Sequence, residues 1–196
     1  MVTTKAIRQR ALLWSVLIPF LPFAVACGSS GLKPDGGGTL PDCNGAWPAA
    51  WVQKEQQLLT ALNAARAQGG TCSGQSYPAV SPVTQDSQLT QISRCFARDQ
   101  MLAGSQALAG ADANAALRDR VVAANYPGQL TGYAGDITAA SVNDVIASFL
   151  ASSTYCAALF DPTTNVSGAG YVEDATGVVP QRWAGVTAFT GDGAAP

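Results

Sequence analysis

Histidine, the side chain that most often carries out acid–base chemistry near neutral pH, is missing from this sequence. Imidazole is the usual proton shuttle at neutral pH and the base in Ser–His–Asp arrangements, so those mechanisms are excluded, together with histidine metal sites. A serine–lysine pair would have to use Lys33 or Lys54, the two lysines that follow residue 5. The chain also lacks a GxSxG elbow and a GxxxxGK[ST] phosphate loop.

Paired carboxylates are the acid–base chemistry that composition leaves open. Glu55 and Glu173 are the two glutamates, and the other acids are aspartates that are common in loops. The stretch Gly168–Gly170 is too short for a dinucleotide-binding fingerprint. The sequence therefore predicts no cofactor and no metal site.

Cys27 is the residue with the clearest chemical prediction, because it directly follows an export signal. A basic start is followed by the 15-residue apolar stretch Ala11–Val25, which is too short for the about 20 residues that cross a bilayer. Ala24 and Ala26 place small residues before Cys27, as in a lipobox, and predict cleavage after residue 26 and acylation of the Cys27 thiol. Two alternatives remain: ordinary signal cleavage that leaves Cys27 as a free thiol, and an uncleaved apolar stretch that stays in the membrane as an anchor.

The expected organisation is a signal peptide over 1–26, a flexible tether over 27–42 and one domain over 43–196. The tether is rich in Gly, Ser and Pro and lacks apolar periodicity. Gly28 is not the Asp that retains lipoproteins at an inner membrane, so the expected location is the cell envelope, with an outer membrane favoured where the host has one.

Charge and cysteine usage agree with export. Removal of the signal takes away Lys5, Arg8 and Arg10 but no acid, which changes the formal net charge from −2 to about −5. Nucleic acid and anionic lipid are therefore not expected as electrostatic partners. The four cysteines of the domain predict two disulfides in an oxidising compartment, and spacing leaves all three pairings open.

Apolar periodicity predicts helices in the first three quarters of the domain and strands near its end. Helices are expected from Pro48 to Gly69, over 85–103, over 113–124 and after a Ser141 cap. Residues 70–82 and 104–112 are expected to be loops. Strands are expected over 168–172 and 182–189, joined by a turn over 174–179, with a further short strand near 132–138. The order indicates an α+β domain.

Six segments are similar, in chain order, to short patterns: Leu58–Arg66 to LL…N-x-x-R, Leu89–Gln100 to L-x-x-x-A…D-M, Arg120–Tyr126 to R…A-G-Y, Phe149–Cys156 to W-x-x-S-P-x-H-C, Leu159–Pro162 to I-M-N-P and Gly168–Tyr171 to G-V-G-Y. In this order they resemble bacterial members of the CAP (SCP-like, cysteine-rich secretory) family, over about residues 51–189. The resemblance implies a three-layer α-β-α sandwich with a small antiparallel sheet. It also implies a Cys72–Cys156 disulfide, with Cys43–Cys95 as the remaining pair.

This chain departs from the family in the cleft, where relatives often carry two histidines and two acids. The matching positions are Gln106, Asp136 and Tyr155, and no second acid can be placed. One amide, one carboxylate and one phenol do not make a zinc site.

The resulting expectation is a membrane-anchored, non-catalytic binding or envelope-structural module, whose cleft could accept a lipid or another envelope ligand. The alternative is a degenerate hydrolase in which Asp136 acts with Tyr155 or Ser152, although a lone carboxylate rarely activates a hydroxyl. A secreted protein of unrelated fold is the third hypothesis.

Overall fold

A computed structural model describes residues 40–174 and 180–191, and only the backbone of Phe189. The expected signal peptide, Cys27 and the tether as far as residue 39 lie outside the described residues, as does most of the expected turn, over 175–179. Leu40, near the end of the expected tether, packs partly buried against the core.

The described chain is a mixed α+β structure. Its elements, in chain order, are α1 (Ala49–Gln68), β1 (Gly70–Cys72), β2 (Gln75–Tyr77), β3 (Thr84–Gln85), α2 (Ser87–Ala103), a 3₁₀ turn (Gly104–Gln106), α3 (Gly110–Ala123), β4 (Gln129–Ile137), α4 (Val142–Ala151), α5 (Ser153–Leu159), β5 (Val166–Glu173) and β6 (Gln181–Phe189).

Polar side chains fix where three helices begin. The Asp86 carboxylate accepts from the backbone N–H of Leu89 at 2.8 Å and starts α2. Ser141 accepts from the N–H of Asp144 and donates to its carboxylate at 2.7 Å, which confirms the predicted cap of α4. Ser152 caps α5 by accepting from the N–H of the residue three positions on.

The main sheet has the strand order β3-β5-β6-β4. Strand β6 lies in the centre and pairs antiparallel with both β5 and β4, with register shifts on the β4 side. Strand β3 adds two residues and runs parallel to β5. The expectation of an antiparallel sheet is therefore correct for three strands and wrong for β3. A long connection that contains four helices and β4 joins β3 to β5, which permits parallel pairing, whereas a tight turn would not.

Helices cover both faces of this sheet. A Cβ on Gly168 or Gly170 would collide with the backbone of α2, so α2 packs directly on that face of β5, and Gly135 of β4 approaches α3 in the same way. On the opposite face, the Trp51 ring of α1 lies 6.2 Å from the Tyr171 ring of β5, perpendicular to it. The described domain is thus an α-β-α sandwich, and the predicted α+β class is confirmed.

Two disulfides join segments that are distant in sequence. Cys72, on the β1–β2 hairpin, pairs with Cys156 of α5, and Cys43 pairs with Cys95 of α2, with Cα–Cα distances of 6.2 and 5.0 Å. The structure confirms the expected number of disulfides and forms the pairs that the family resemblance implies. The second bond holds the segment that precedes α1 against α2.

Two local expectations are wrong, and one helix was not expected. Residues 70–82 contain the β1–β2 hairpin instead of a plain loop, and α3 begins at Gly110, inside the expected 104–112 loop. A separate helix, α5, follows α4 after one residue, and the two are bent by 109°. Within the described ranges no single helix is long and apolar enough to cross a membrane, although α4 and α5 taken together pass that test.

Candidate functional site

Asp136, the best-placed acid of the expected cleft, is neutralised by an arginine. It lies near the end of β4 and forms an ion pair with Nη1 of Arg182 from β6, and the two side chains are only 12% and 5% exposed. Arg182 Nη2 also donates to the backbone carbonyl of Gly104 at 3.4 Å, while its buried Nε has no partner among the described residues. A carboxylate held by a buried guanidinium is poorly placed to act as a general base, because its oxygen is already engaged in a charge-assisted hydrogen bond.

Tyr155 belongs to a different set of contacts. Its hydroxyl accepts from Nδ2 of Asn114 at 3.0 Å, and Oδ1 of the same amide accepts from the N–H of Gly135 at 2.8 Å. Its ring packs edge-on against Phe149 at 5.7 Å. Tyr155 therefore links α5 to α3 and β4, which is a structural role.

Gln106 ends the 3₁₀ turn, is exposed, and forms no side-chain hydrogen bond with a described residue. Arg182 connects Asp136 to the backbone of Gly104 in the same turn, and Asn114 connects Tyr155 to Gly135, the residue before Asp136. In the part of the chain that the structure describes, no hydrogen bond or ion pair connects Gln106, Asp136 and Tyr155 to one another.

The hydrolase alternative needs a hydroxyl beside the carboxylate. Ser152 Oγ is used as the cap of α5, where it accepts from the N–H of Tyr155 at 3.4 Å, and the Asp136 carboxylate faces Arg182. Over residues 40–174 and 180–191, no cluster of three His, Cys, Asp or Glu side chains could hold a metal ion.

The apolar space between α1, α4, α5 and the sheet is small. One cavity below Tyr155 and a second between α1 and β5 each measure about 40 Å³, and both are lined by Leu62, Phe149 and Gly185. A single water molecule occupies about 30 Å³ of liquid, and ligand pockets usually measure 300–1,000 Å³. A lipid chain could enter only if the helices moved away from the sheet.

The most densely bonded buried carboxylate is Glu55 on α1, which is 2% exposed. It accepts from Arg94 in a bidentate contact, with Nε at 3.1 Å from both oxygens, from Trp47 Nε1 at 3.0 Å and from the N–H of Tyr171 at 3.1 Å. Burial raises the pKa of the Glu55 carboxyl, and the bonds from Arg94, Tyr171 and Trp47 oppose the rise. These bonds fasten α1 to α2 and β5.

From the sequence, Glu55 was identified only as one of two glutamates, and its buried bonds to α2 and β5 were not predicted. The signal that could have identified it is its position in the buried stripe of α1, one turn after Trp51 and before Leu58. A charged residue on the apolar face of a helix is rarely buried unless it is paired.

Arg66 is a second buried charge on α1, and it ends the N-x-x-R motif. It is 1% exposed and donates to the backbone carbonyls of Ser81, Leu159, Asp161 and Thr164. Three residues earlier, Asn63 brackets Val83 by donating to its carbonyl at 2.9 Å and accepting from its N–H at 2.8 Å. The motif that carries part of the family resemblance therefore holds loops in place and does not present a reactive group.

Comparison of the chain with protein-family models gives no match. The curated proteins contain no match either.

Proposed function

We propose that this chain is an extracytoplasmic, CAP-like module that is held at a membrane of the cell envelope by a lipid on Cys27 and acts by binding or by structural contact, without catalysis. The signal-like start, the lipobox-like Ala24–Cys27 and the polar tether support the anchoring. The two disulfides support an oxidising compartment.

The observation that carries the non-catalytic part is the Asp136–Arg182 ion pair. The guanidinium takes up the only cleft acid that the family resemblance places, and Tyr155 and Ser152 are used in structural hydrogen bonds. With no histidine in the chain, these groups offer no second base.

Cell fractionation of the full chain tests the anchoring. Wild-type protein is expected to sediment with membranes and to partition into detergent, while Cys27→Ala is expected in the soluble extracytoplasmic fraction or as uncleaved precursor. Ser29→Ala, two residues away in the tether, is the matched control and should behave like the wild type. Detergent partitioning of cleaved Cys27→Ala would show that another segment holds the protein.

The catalytic alternative is tested with Asp136→Asn, which keeps the size of the side chain. Purified wild type and variant are compared on peptide, ester and glycoside substrates, with folding checked by circular dichroism. The proposal expects no turnover in either protein. Turnover by the wild type that is lost in Asp136→Asn would establish the hydrolase instead.

A further inference from the structure

We propose that the groove between the outer face of α1 and the start of α4 binds a neutral oligosaccharide chain. This inference rests on the proposed envelope location and names the ligand class of that module. The groove lies on the solvent side of α1, away from the small apolar cavities against the sheet.

The groove is open to solvent, and its volume lies in the range of ligand sites. Its volume is about 560 Å³, which falls within the 300–1,000 Å³ typical of ligand pockets. On α1 the lining extends from Gln53 to Ala64, about 17 Å at 1.5 Å per residue. Ser141 and its neighbours at the start of α4 form the other wall. This elongated shape suits a chain of several rings better than one small molecule.

Unpaired amides are concentrated along this groove. Gln53, Gln56, Gln57 and Asn143 are exposed, and their side chains form no hydrogen bond with any described residue. By contrast, Gln100 on α2 uses both its amide nitrogen and its amide oxygen to bind backbone atoms. Each free amide offers two donors and an acceptor without a charge, which matches the hydroxyl and acetamido groups of sugars.

The rest of the lining fits the other half of a sugar ring. Ala61, Ala64 and Val142 provide an apolar surface between the amides, on which the C–H face of a ring can lie. Lys54 is the one charged side chain among the described residues that line the groove. A polyanionic chain would therefore find little charge complementarity, and a neutral chain needs none.

Titration of the purified full chain in mild detergent with chitotetraose and cellotetraose, followed by calorimetry, tests the inference. Saturable binding of at least one of these neutral sugars is expected. Gln53→Ala combined with Gln57→Ala should weaken it about tenfold, the effect of losing two hydrogen-bonding side chains. Both positions are exposed on a helix, where alanine favours the fold. Ala64→Arg should abolish binding by filling the groove.

The matched control is Gln68→Ala combined with Gln129→Ala, which removes two exposed amides outside the groove and should leave the affinity unchanged. Absence of binding, equal binding by the Gln53 and Gln57 double variant, or preference for a tetrapeptide or a uronic-acid oligomer would overturn the inference. The same titration on Cys27→Ala separates the two proposals, because sugar binding does not require the anchor. Recovery of cleaved sugar would contradict the non-catalytic proposal while leaving the site in place.

Discussion

Replacing Arg66 by methionine should cost about 3 kcal/mol of unfolding free energy. The guanidinium forms buried bonds with the carbonyls of Leu159 and Thr164 and part-buried bonds with those of Ser81 and Asp161. A buried acceptor that loses its donor costs about 1–3 kcal/mol, so the two buried carbonyls supply most of the loss.

Two effects limit that loss. Burial lowers the pKa of Arg66, although the Asp161 charge opposes this, so removing the guanidinium also relieves a desolvation cost. Methionine keeps an apolar stem of similar length, which limits the cavity. The free energy of unfolding of Arg66→Lys should lie between those of the wild type and Arg66→Met, because an ammonium keeps the charge but cannot match the planar fork of donors.

Urea unfolding followed by tryptophan fluorescence measures the change, with the disulfides intact. The midpoint should fall for Arg66→Met at an unchanged slope. The exposed Arg118 on α3, which forms a surface ion pair with the adjacent Asp119, is the matched control, and Arg118→Ala should leave the midpoint nearly unchanged. An Arg66→Met protein as stable as the wild type would refute the conclusion that the N-x-x-R arginine holds these loops together.

Three further predictions concern the packing of the layers and the bonds between them. Gly170→Ala should destabilise the domain by about 2–3 kcal/mol, because its Cβ would meet the backbone of α2. Gly185→Ala should cost less than about 1 kcal/mol, because the nearest atom to its Cβ lies at 3.7 Å, and equal urea midpoints for the two variants would contradict the direct contact of α2 with β5. Replacing Cys72 and Cys156 together by alanine should cost about 4 kcal/mol by opening a loop of 84 residues, and thermal unfolding that is insensitive to the change would show that the bond constrains little. Burial raises the folded-state pKa of Glu55 above 4.5, so the folded protein binds this proton more tightly than the unfolded protein does. The contribution of Glu55 to the free energy of unfolding should therefore fall as pH rises above 4.5. The stability of the wild type relative to Glu55→Gln should decline over that range, and a flat or rising difference would exclude a raised pKa.

Helices with a regular apolar stripe were predictable from the sequence. Gly69, with φ of 68°, ends α1 where the Gly69–Gly70 stop was expected, and the Ser141 cap begins α4. The strands β5 and β6 were expected within a few residues of their bounds, and β4 begins at Gln129, three residues before its expected start. These elements have local signals, because capping and periodicity depend only on neighbouring residues.

Short elements had no such signal. Strands β1 and β2 have three residues each and β3 has two, too few for an alternating pattern to be recognised. The break between α4 and α5 falls at Ser152, whose side chain caps the second helix, although the apolar stripe of α4 gives no warning that a new direction begins there.

The family resemblance selected Asp136 and Tyr155 as cleft positions but could not indicate what they contact. Their partners Arg182 and Asn114 lie 46 and 41 residues away in the chain. Such pairs depend on how the strands and helices are stacked, which periodicity within one element does not specify. The role of Glu55 on α1 could not be predicted for the same reason, because its partners Arg94 and Tyr171 lie on α2 and β5.

Intact-mass spectrometry of the full-length gene product, purified from envelope membranes without reduction, tests the central claim most directly. The account predicts a chain that begins at Cys27, carries acyl groups there, and is four hydrogen atoms lighter than the reduced protein because of two disulfides. A chain that begins at Met1, or one that begins at Cys27 or Gly28 without a lipid, would contradict the anchored module.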